Sequence, residues 1–371
     1  MKIKAPKEYY SEPDLLKKSG AYIRQYGSNA LIIGSPNSFK AAGEALHSTL
    51  EAAGIRYTSY HFSGYVTLKK ARAIADAYAG VDLIIGVGGG RVLDTAKLVG
   101  SYLEVPIVTV PTIAATCAAW AAVSIIYDDE GRFQGGFFNT IGPQLILADT
   151  RILFDAPRRY LYAGIVDSLA KWYEIYPYDK VEGASTFLQT MIKVADQLRN
   201  ILTEKTASAI EKRAHGEIGT EAVQVIDAII FLAGLTGSLQ TDTLYQGIAH
   251  PLYNVLSNSP EASHLLHGEK VGYGILLQQV LEGKTPEEIE RVIKLFSQFE
   301  NTLVLSDMGI KEGGEDDLRL ISESLWTDYR QSLNRLGYGF SAKEIYDALL
   351  ETDRRISQSK YYRPFSAAIA R

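Results

Sequence analysis

Residues 86–97, GVGGGRVLDTAK, follow the apolar run 83–85 and lead into a segment with helical spacing of apolar side chains. The predicted order is therefore strand, glycine turn and helix. Consecutive glycines leave backbone N–H groups unshielded, and a helix that begins there directs the positive end of its dipole at the turn. Such a turn can bind a phosphate or pyrophosphate. The stretch is neither GxGxxG nor a Walker loop, so these residues alone equally allow a plain tight turn.

Short apolar strands alternate with helical segments through the first 150 residues. The predicted strands are 30–36, 55–62, 83–85, 105–110 and 145–149, and the predicted helices are 12–28, 39–53, 68–79 and 92–103. This alternation predicts βαβ units and a parallel sheet. Ligands of such sheets gather at the carboxyl ends of the strands, where both the glycine turn and residues 111–117 lie. Residues 124–133 predict a hairpin that turns at Asp-Glu-Gly.

The pattern changes near residue 155, after which strand signals end and long helical patterns follow. Two of these helices begin with capping boxes, at residues 285–288 and 341–344. The sequence therefore predicts an α/β domain over 1–155 and an all-helical domain over 156–371.

Composition restricts the possible partners and the compartment. The 371 residues carry a net charge of −5 with no basic stripe, which argues against a nucleic-acid partner. The single cysteine, Cys117, fits a reducing cytoplasm, and the N-terminus shows no apolar segment of a signal peptide. Residues 105–127 lack charge, but Pro106 and Pro111 interrupt them, which favours a buried strand and loop over a membrane span.

Possible metal ligands lie in the helical half. Asp167 is surrounded by apolar residues and shares a helix face with Lys171, and three histidines follow at His250, His264 and His267. A buried carboxylate needs a partner or a metal. Asp167 with His250 and His267, from separate segments, is a plausible ligand set for zinc or iron. Taken singly, each histidine is more readily a surface or internally bonded residue.

Five motifs in this order resemble the glycerol dehydrogenase branch of the iron-containing (group III) alcohol dehydrogenases. They are GVGGGRVLDTAK, VPTIAATCAAWAAVSIIYDDEGRF, LYAGIVDSLAKWYE, GIAHPLYN and HGEKVGYGILLQ, spread over residues 80–280. The resemblance implies a dehydroquinate synthase-like fold, with a Rossmann-like nucleotide domain, a helical domain and a divalent metal in the cleft between them. It also implies hydride transfer between NAD(P) and a small alcohol or carbonyl substrate. We further expect a cytoplasmic homo-oligomer with no nucleic-acid or membrane partner.

The resemblance also implies roles for individual residues. The metal, zinc or iron, would be held by Asp167, His250 and His267, and would polarise the substrate oxygen. The glycines would hold the cofactor pyrophosphate, and other positions would contact or line the rest of the cofactor. The implied cofactor positions are Ser35, Gly88, Gly89, Gly90, Asp94, Lys97, Thr112, Thr116, Val123 and Tyr127.

Three positions depart from the family pattern. Tyr253 stands where the family has a second, non-ligating histidine, and it is either a poor proton carrier or only a wall of the cleft. Cys117 replaces a substrate-binding aspartate of glycerol dehydrogenases, within a loop ATCAAW that is similar to that of 2-oxoacid (hydroxycarboxylate) reductases. Ser35 stands where an acidic residue often binds the adenosine ribose, so NADP use is open alongside NAD.

These departures leave alternatives. The leading hypothesis is an NAD(P) oxidoreductase acting on a small 2-hydroxy acid, 2-oxo acid or an alcohol such as glycerol, with Cys117 at the substrate end of the catalytic site. The alternative is a nucleotide-binding member of the family with little or no dehydrogenase activity. A different reaction on the same scaffold, of the dehydroquinate synthase type, fits the motifs less well.

Overall fold

The computed structural model describes residues 2–182, 185–240, 245–311 and 314–365, and the chain forms two compact units. The units are Met1–Leu161 with Asn200–Gln240, and Tyr162–Arg199 with Thr241–Arg371. The first unit thus extends beyond the predicted domain of residues 1–155, because a later helical segment also belongs to it.

Within the described residues, the strands and helices follow one another mostly as the sequence patterns predict. The strands are β1 (Lys2–Ile3), β2 (Glu8–Glu12), β3 (Asn29–Gly34), β4 (Arg56–His61), β5 (Leu83–Gly88), β6 (Ile107–Pro111), β7 (Val123–Tyr127), β8 (Phe133–Phe138), β9 (Leu145–Asp149) and β10 (Leu239–Gln240). The helices of the first unit's opening segment are α1 (Gly20–Arg24), α2 (Pro36–Ser38), α3 (Glu44–Ala52), α4 (Leu68–Ala77), α5 (Gly90–Leu103) and α6 (Thr150–Asp155). The later helices are α7 (Arg158–Ile175), α8 (Asp179–Glu182), α9 (Thr186–Ala214), α10 (Thr220–Asp227), α11 (Ala233–Ser238), α12 (Ala249–Leu256), α13 (His267–Leu281), α14 (Pro286–Ser297), α15 (Glu315–Arg335) and α16 (Ala342–Gln358).

Six strands of the first unit form a parallel sheet in the order β2-β9-β6-β5-β3-β4. The chain runs outward from β3 to β4, then from β5 in the opposite direction to β6 and β9. The direction therefore reverses between β3 and β5. The carboxyl ends at such a reversal are where open α/β sheets bind their ligands, and the glycine turn follows β5.

Both faces of this sheet are covered, which explains why its strands are almost continuously apolar. On one face Ile32 and Ile85 pack with side chains of α3, and on the other Ile33 and Ile84 pack with side chains of α4 and α5. All four isoleucines are fully buried. The parallel α/β domain predicted from the alternation is thereby confirmed.

The N-terminal prediction is wrong in detail. The expected helix over 12–28 is replaced by a short 3-10 turn at Leu15–Lys18 and the five-residue α1, while β2 pairs with β9 at the sheet edge. The Asp149 carboxylate, at the end of β9, accepts the backbone N–H groups of Asp14 and Leu16, both at 3.1 Å. These two long-range bonds fix a turn that local helical propensity opposes.

The predicted hairpin is confirmed. Strands β7 and β8 pair antiparallel, and the connection contains Gly131 with φ +88°, a conformation that favours glycine. The Asp128 side chain accepts the backbone N–H of Arg132 at 2.8 Å and pairs with the Arg132 guanidinium. The turn is therefore closed by both its backbone and its charged side chains.

Residues 220–238 explain why a late segment belongs to the first unit. By length and composition alone this helical stretch could cross a membrane, but that is weak evidence because core helices pass the same test. Here Trp120 lies against Phe231 with ring centroids 5.3 Å apart, and its indole N–H donates to Ser238 at 2.8 Å. A Cβ at Gly234 would lie 2.3 Å from the indole, so this glycine makes room for Trp120.

The described part of the second unit is helical, as predicted. Both predicted capping boxes are present, at Thr285 with Glu288 and at Ser341 with Glu344. Each hydroxyl accepts the N–H three residues later, and each glutamate accepts the N–H of the capping residue. These bonds fix the first turns of α14 and α16.

Candidate functional site

Backbone geometry accounts for two of the three glycines in the turn after β5. Gly88 has φ +155°, and a Cβ there would lie 2.9 Å from Val92. A Cβ at Gly89 would lie 2.5 Å from Ile113. Gly90 has more room, since the nearest atom, on Ala118, is 3.7 Å away. A side chain at either of the first two positions would therefore displace the loop or helix that it meets.

Helix α5 begins directly at this turn. Its capping residue, Gly89, has no side chain to satisfy the first N–H groups of the 14-residue helix. Gly86 lets the helix approach the strand, because a Cβ there would lie 2.7 Å from Ala96. Unsatisfied N–H groups at the positive end of a long helix form a suitable site for an anion such as a pyrophosphate.

Asp94 and Lys97 hold the neighbouring loop in place. The Lys97 ammonium is 0 % exposed, lies 2.8 Å from the Asp94 carboxylate, and donates to the carbonyls of Ala118, Ala121 and Val123 at 3.0, 2.9 and 2.5 Å. The other Asp94 oxygen accepts the N–H of Ile125 at 3.1 Å. Burial raises the pKa of Asp94, and Lys97 lowers it in part.

The expected direct contact of Asp94 and Lys97 with the cofactor stays a prediction. Their charged groups are enclosed and paired within the protein, which favours an effect on the cofactor region through the loop that they fix. Thr112 donates its backbone N–H to the Gly88 carbonyl at 3.2 Å, which ties the same loop to the glycine turn. The Thr116 hydroxyl accepts the N–H of Ala118 at 3.2 Å.

The other sequence-predicted cofactor residues also lie in the first unit. Val123 begins β7 and accepts Lys97 through its carbonyl. Tyr127 ends β7, donates its N–H to the Val66 carbonyl at 2.8 Å, and lies beside Tyr65 with ring centroids 6.0 Å apart. Cys117 lies in the loop after β6 and is partly exposed. The cofactor contacts of these residues stay predictions.

Ser35 follows β3, the strand next to β5 at the reversal of the sheet. Its hydroxyl accepts the N–H of Ser38 at 3.2 Å, and the Ser38 hydroxyl accepts the N–H of Ser35 at 2.8 Å. Ser35 is thus the N-cap of α2 in a reciprocal capping box. An aspartate could take the same capping role, so the absence of a carboxylate at this strand end is not dictated by the local fold.

The predicted metal ligands come together in the second unit. The Nε2 atom of His267, at the start of α13, lies 2.9 Å from the Asp167 carboxylate of α7, and Nε2 of His250, in α12, lies 3.4 Å from the same oxygen. One ligand atom from each residue lies within 4.8 Å of the others. His264 is elsewhere, with its ring nitrogen 2.9 Å from the Glu261 carbonyl.

Glu174 completes this cluster, and the sequence analysis missed it. One carboxylate oxygen accepts the backbone N–H of His250 at 3.0 Å, and the other lies 2.5 Å from its Nδ1. Glu174 is seven residues beyond Asp167, which places both on the same face of α7. The spacing of the two carboxylates within one predicted helix was the available signal. It indicates a role for Glu174 only once the position of His250 is known.

The charges of the cluster are mutually dependent. Burial alone would raise the pKa of Asp167, but the two histidines lower it well below its usual range. Burial lowers the pKa of His250, whereas Glu174 and Asp167 raise it to about 9. Burial lowers the pKa of His267 by more than Asp167 raises it. A metal ion bound here would have to displace the proton on His250.

The donor set fits a divalent metal. One carboxylate and two imidazoles leave a coordination position for a substrate, as catalytic zinc requires. Such sites also need a partner that fixes the tautomer and orientation of a ligating histidine, and Glu174 fills this role for His250. Within the described residues, Asp167, His250 and His267 are the group with metal-binding geometry.

Tyr253 and Lys270 lie next to His267. The Tyr253 ring meets the His267 ring edge-on with centroids 4.0 Å apart, and the Lys270 ammonium lies 5.1 Å from the centre of the Tyr253 ring. Lys270 is 6 % exposed, and burial lowers its pKa to about 8. Tyr253 is itself buried, which agrees with its reading as a wall of the site.

Comparison with known proteins points to one family. The sequence profile of iron-containing alcohol dehydrogenases matches residues 6–150. Glycerol dehydrogenase from Escherichia coli O6:H1 is 31 % identical over 363 residues, which cover 95 % of this chain and 96 % of that protein. Hydroxycarboxylate dehydrogenase A from Escherichia coli K12 is 30 % identical over 328 residues, covering 87 % and 90 % respectively.

Solved structures agree at the level of the fold. The crystal structure of glycerol dehydrogenase from Schizosaccharomyces pombe superimposes with a TM-score of 0.86, covering 99 % of this chain and 92 % of that chain. The two sequences are 24 % identical. At this identity the likeness establishes a shared fold.

Proposed function

The chain belongs to the family of iron-containing alcohol dehydrogenases, and we propose that, within it, the protein reduces a small 2-oxo acid and oxidises the corresponding 2-hydroxy acid. As a member of this family it is an oxidoreductase that uses NAD(P) and a divalent metal.

The observation that carries the catalytic part is the cluster of Asp167, His250 and His267 with Glu174 behind it. A metal held by the first three residues would supply Lewis-acid polarisation of the substrate oxygen. We infer zinc, which suits this ligand set, with iron as the alternative that metal analysis would identify. Glu174 fixes the ring of His250 so that Nε2 is directed at the carboxylate of Asp167.

The first unit supports a dinucleotide site. The glycine turn offers backbone N–H groups to the pyrophosphate, and the loop fixed by Asp94 and Lys97 carries Thr116 and Cys117. A nicotinamide cofactor held there would supply or accept the hydride of the reaction. Since Ser35 adds no negative charge at the strand end, we propose that NADP(H) is accepted as well as NAD(H).

Cys117 supports the choice of substrate. The resemblance places it where glycerol dehydrogenases have an aspartate that binds hydroxyl groups. A thiol there lacks the carboxylate that accepts hydrogen bonds from a polyol, and in its neutral form it does not repel a substrate carboxylate. An anionic 2-oxo acid is therefore favoured over glycerol. The cytoplasmic location and the homo-oligomer stay predictions, and light scattering would measure the oligomeric state.

A substrate panel on metal-analysed protein tests the proposal. We expect reduction of 2-oxobutanoate with NADPH or NADH at a higher kcat/KM than oxidation of glycerol with the corresponding oxidised cofactor. Efficient glycerol oxidation without turnover of 2-oxobutanoate would contradict the proposed substrate. Metal-loaded protein that binds nucleotide and turns over neither compound would instead favour the alternative of a binding protein.

A further inference from the structure

The strand next to β3 ends in a histidine. Strand β4 lies beside β3 on the side away from β5. The two strands are parallel, and His61 at the end of β4 pairs with Gly34 at the end of β3. The N–H of Phe62 donates to the Gly34 carbonyl at 2.8 Å, which continues the pairing beyond the last residue of β4. Because paired strands are about 4.8 Å apart, His61 lies one strand spacing from the residue that precedes Ser35.

Phe39 holds the His61 side chain at this point. The Phe39 ring fills the space that Gly34 leaves open, since a Cβ at Gly34 would lie 2.8 Å from two of its ring atoms. The His61 imidazole lies against the same ring, with centroids 4.8 Å apart. Phe39 belongs to the segment that begins at Ser35, whose carbonyl accepts the Phe39 N–H at 2.9 Å. The imidazole therefore packs against the segment that follows β3.

The polar atoms of His61 are available to a ligand. His61 is exposed, and within the described part of the chain neither of its ring nitrogens has a hydrogen-bond partner. Lys40, the residue after Phe39, is also exposed, and its ammonium has no ion-pair partner among the residues that the structure describes. An imidazole N–H donates a hydrogen bond and an ammonium adds positive charge, so this edge of the sheet suits an anion.

The order of the strands indicates which anion this is. Strands β5, β3 and β4 are consecutive in the parallel sheet. With a pyrophosphate at the glycine turn after β5, the adenosine ribose would lie at the end of β3, as it does in dinucleotide-binding sheets. The end of β4 is the next position outward. NADP differs from NAD by a phosphate on the 2′ oxygen of this ribose, and N–H donors bind phosphate oxygens strongly. His61 would therefore reach the group that distinguishes the two cofactors.

We propose that His61 determines cofactor specificity by donating an imidazole N–H to the 2′-phosphate of NADP(H). This inference rests on the proposed acceptance of NADP(H), and it assigns that acceptance to one side chain. The lack of a carboxylate at Ser35 removes a repulsion, whereas His61 supplies an attraction. Phe39 positions the ring, and Lys40 adds positive charge on the same segment.

The test compares two nucleotides that differ only in the 2′-phosphate, adenosine 2′,5′-bisphosphate and adenosine 5′-monophosphate. Calorimetry on the full-length protein gives both Kd values, and it needs neither turnover nor bound metal. His61→Leu removes both ring nitrogens and keeps an apolar side chain against Phe39, whereas His61→Arg provides guanidinium donors. His215→Leu, at another exposed histidine, is the control. The ratio of kcat/KM for NADPH and NADH is measured on the same proteins.

We expect the wild type to bind the bisphosphate more tightly than the monophosphate. His61→Leu should raise the Kd for the bisphosphate about tenfold, the usual effect of losing a hydrogen bond to a charged group. Its Kd for the monophosphate should stay at the wild-type value, which also shows that the variant is folded. The preference for NADPH over NADH should fall by the same factor. His61→Arg should bind the bisphosphate at least as tightly as the wild type, and His215→Leu should change nothing.

An unchanged Kd for the bisphosphate in His61→Leu, or an equal loss for both nucleotides, would overturn the role of His61. A wild-type protein that binds the bisphosphate no more tightly than the monophosphate would overturn the proposed acceptance of NADP(H) together with that role. Failure of the proposed substrate has a different signature, because 2-oxobutanoate would then not be reduced with either cofactor. In that case the calorimetric comparison still decides whether His61 binds the 2′-phosphate.

Discussion

Glu174 binds His250 at two points, through the backbone N–H at 3.0 Å and through Nδ1 of the ring at 2.5 Å. The two contacts fix the start of α12 and the orientation of the imidazole together. The opposite ring nitrogen is thereby directed to Asp167, 3.4 Å away. A buried carboxylate that would otherwise cost free energy thus orients a predicted metal ligand.

Replacing Glu174 by glutamine should weaken metal binding. The amide keeps the size of the side chain but loses its charge, and it cannot accept hydrogen bonds through both of its terminal atoms. Loss of such a supporting partner typically lowers metal affinity about 10- to 100-fold. Competition with a chelator would measure the change, with the exposed Glu323→Gln as matched control. Equal affinities for wild type and Glu174→Gln would show that the ring of His250 needs no such support.

Removing His250 itself should abolish metal binding and activity together. The His250→Ala variant retains a carboxylate and one imidazole, which is one ligand fewer than catalytic zinc sites use. Metal content after dialysis and turnover of 2-oxobutanoate should fall in parallel, whereas His264→Ala, outside the cluster, should retain both. A His250→Ala protein with full metal content and activity would refute the ligand assignment.

The sequence was informative where local pattern and tertiary structure agree. The alternation of strands and helices predicts the sheet because buried parallel strands must be apolar on both faces, as Ile32 and Ile33 are. It misses β2, whose polar sequence EYYSE is made a strand by pairing with β9. The N-terminal helix prediction is wrong for a similar reason, since the Asp149 carboxylate accepts the N–H of Asp14 across 135 residues.

For the candidate site, the sequence identifies residues but not what each of them does. Asp167, His250 and His267 are recognisable from their motifs, and the structure brings them together. Motif position alone could not separate a residue that meets a ligand from one that supports the protein around it. Lys97 is the clear case, because only the three carbonyls around its ammonium reveal that it holds a loop.

Changing Ser35 to aspartate should shift cofactor preference from NADPH toward NADH. The aspartate can cap α2 as serine does, so the variant adds a negative charge without removing the local bond to Ser38. That charge would repel a 2′-phosphate and could accept the ribose hydroxyls of NADH. The ratio of kcat/KM for the two cofactors is the measurement. Ser35→Thr, which caps without charge, is the control, and an unchanged ratio in Ser35→Asp would place the ribose elsewhere.

Replacing Lys97 by methionine should destabilise the protein. The change leaves the Asp94 carboxylate buried without its cation, and breaking a buried ion pair in this way costs roughly 3–5 kcal/mol. Urea unfolding would measure the loss, with the exposed Lys69→Met as control. The double variant Asp94→Asn with Lys97→Met should recover part of the stability, because no buried charge is left uncompensated. A double variant less stable than Lys97→Met would contradict this explanation.

Lys270 should make the free energy of unfolding depend on alkaline pH. Burial lowers its pKa to about 8, below the value of about 10.5 expected in the unfolded chain. Between these values the folded protein binds fewer protons than the unfolded chain, so this group's contribution to stability rises with pH. Below pH 8 the cost of burying the charge is present in full, on the order of 3 kcal/mol. Lys270→Met should therefore be more stable than the wild type at pH 7.

The advantage of Lys270→Met should shrink as the pH rises from about 8 toward 10.5, because the wild-type lysine is then buried in its neutral form. Urea unfolding of both proteins at several pH values measures the difference, from which other titrating groups cancel. For the exposed Lys193→Met, the difference in unfolding free energy from the wild type should not change with pH. A difference between wild type and Lys270→Met that stays constant with pH would mean that Lys270 is charged throughout. The Tyr253 ring 5.1 Å from the ammonium would then stabilise the cation more than burial disfavours it.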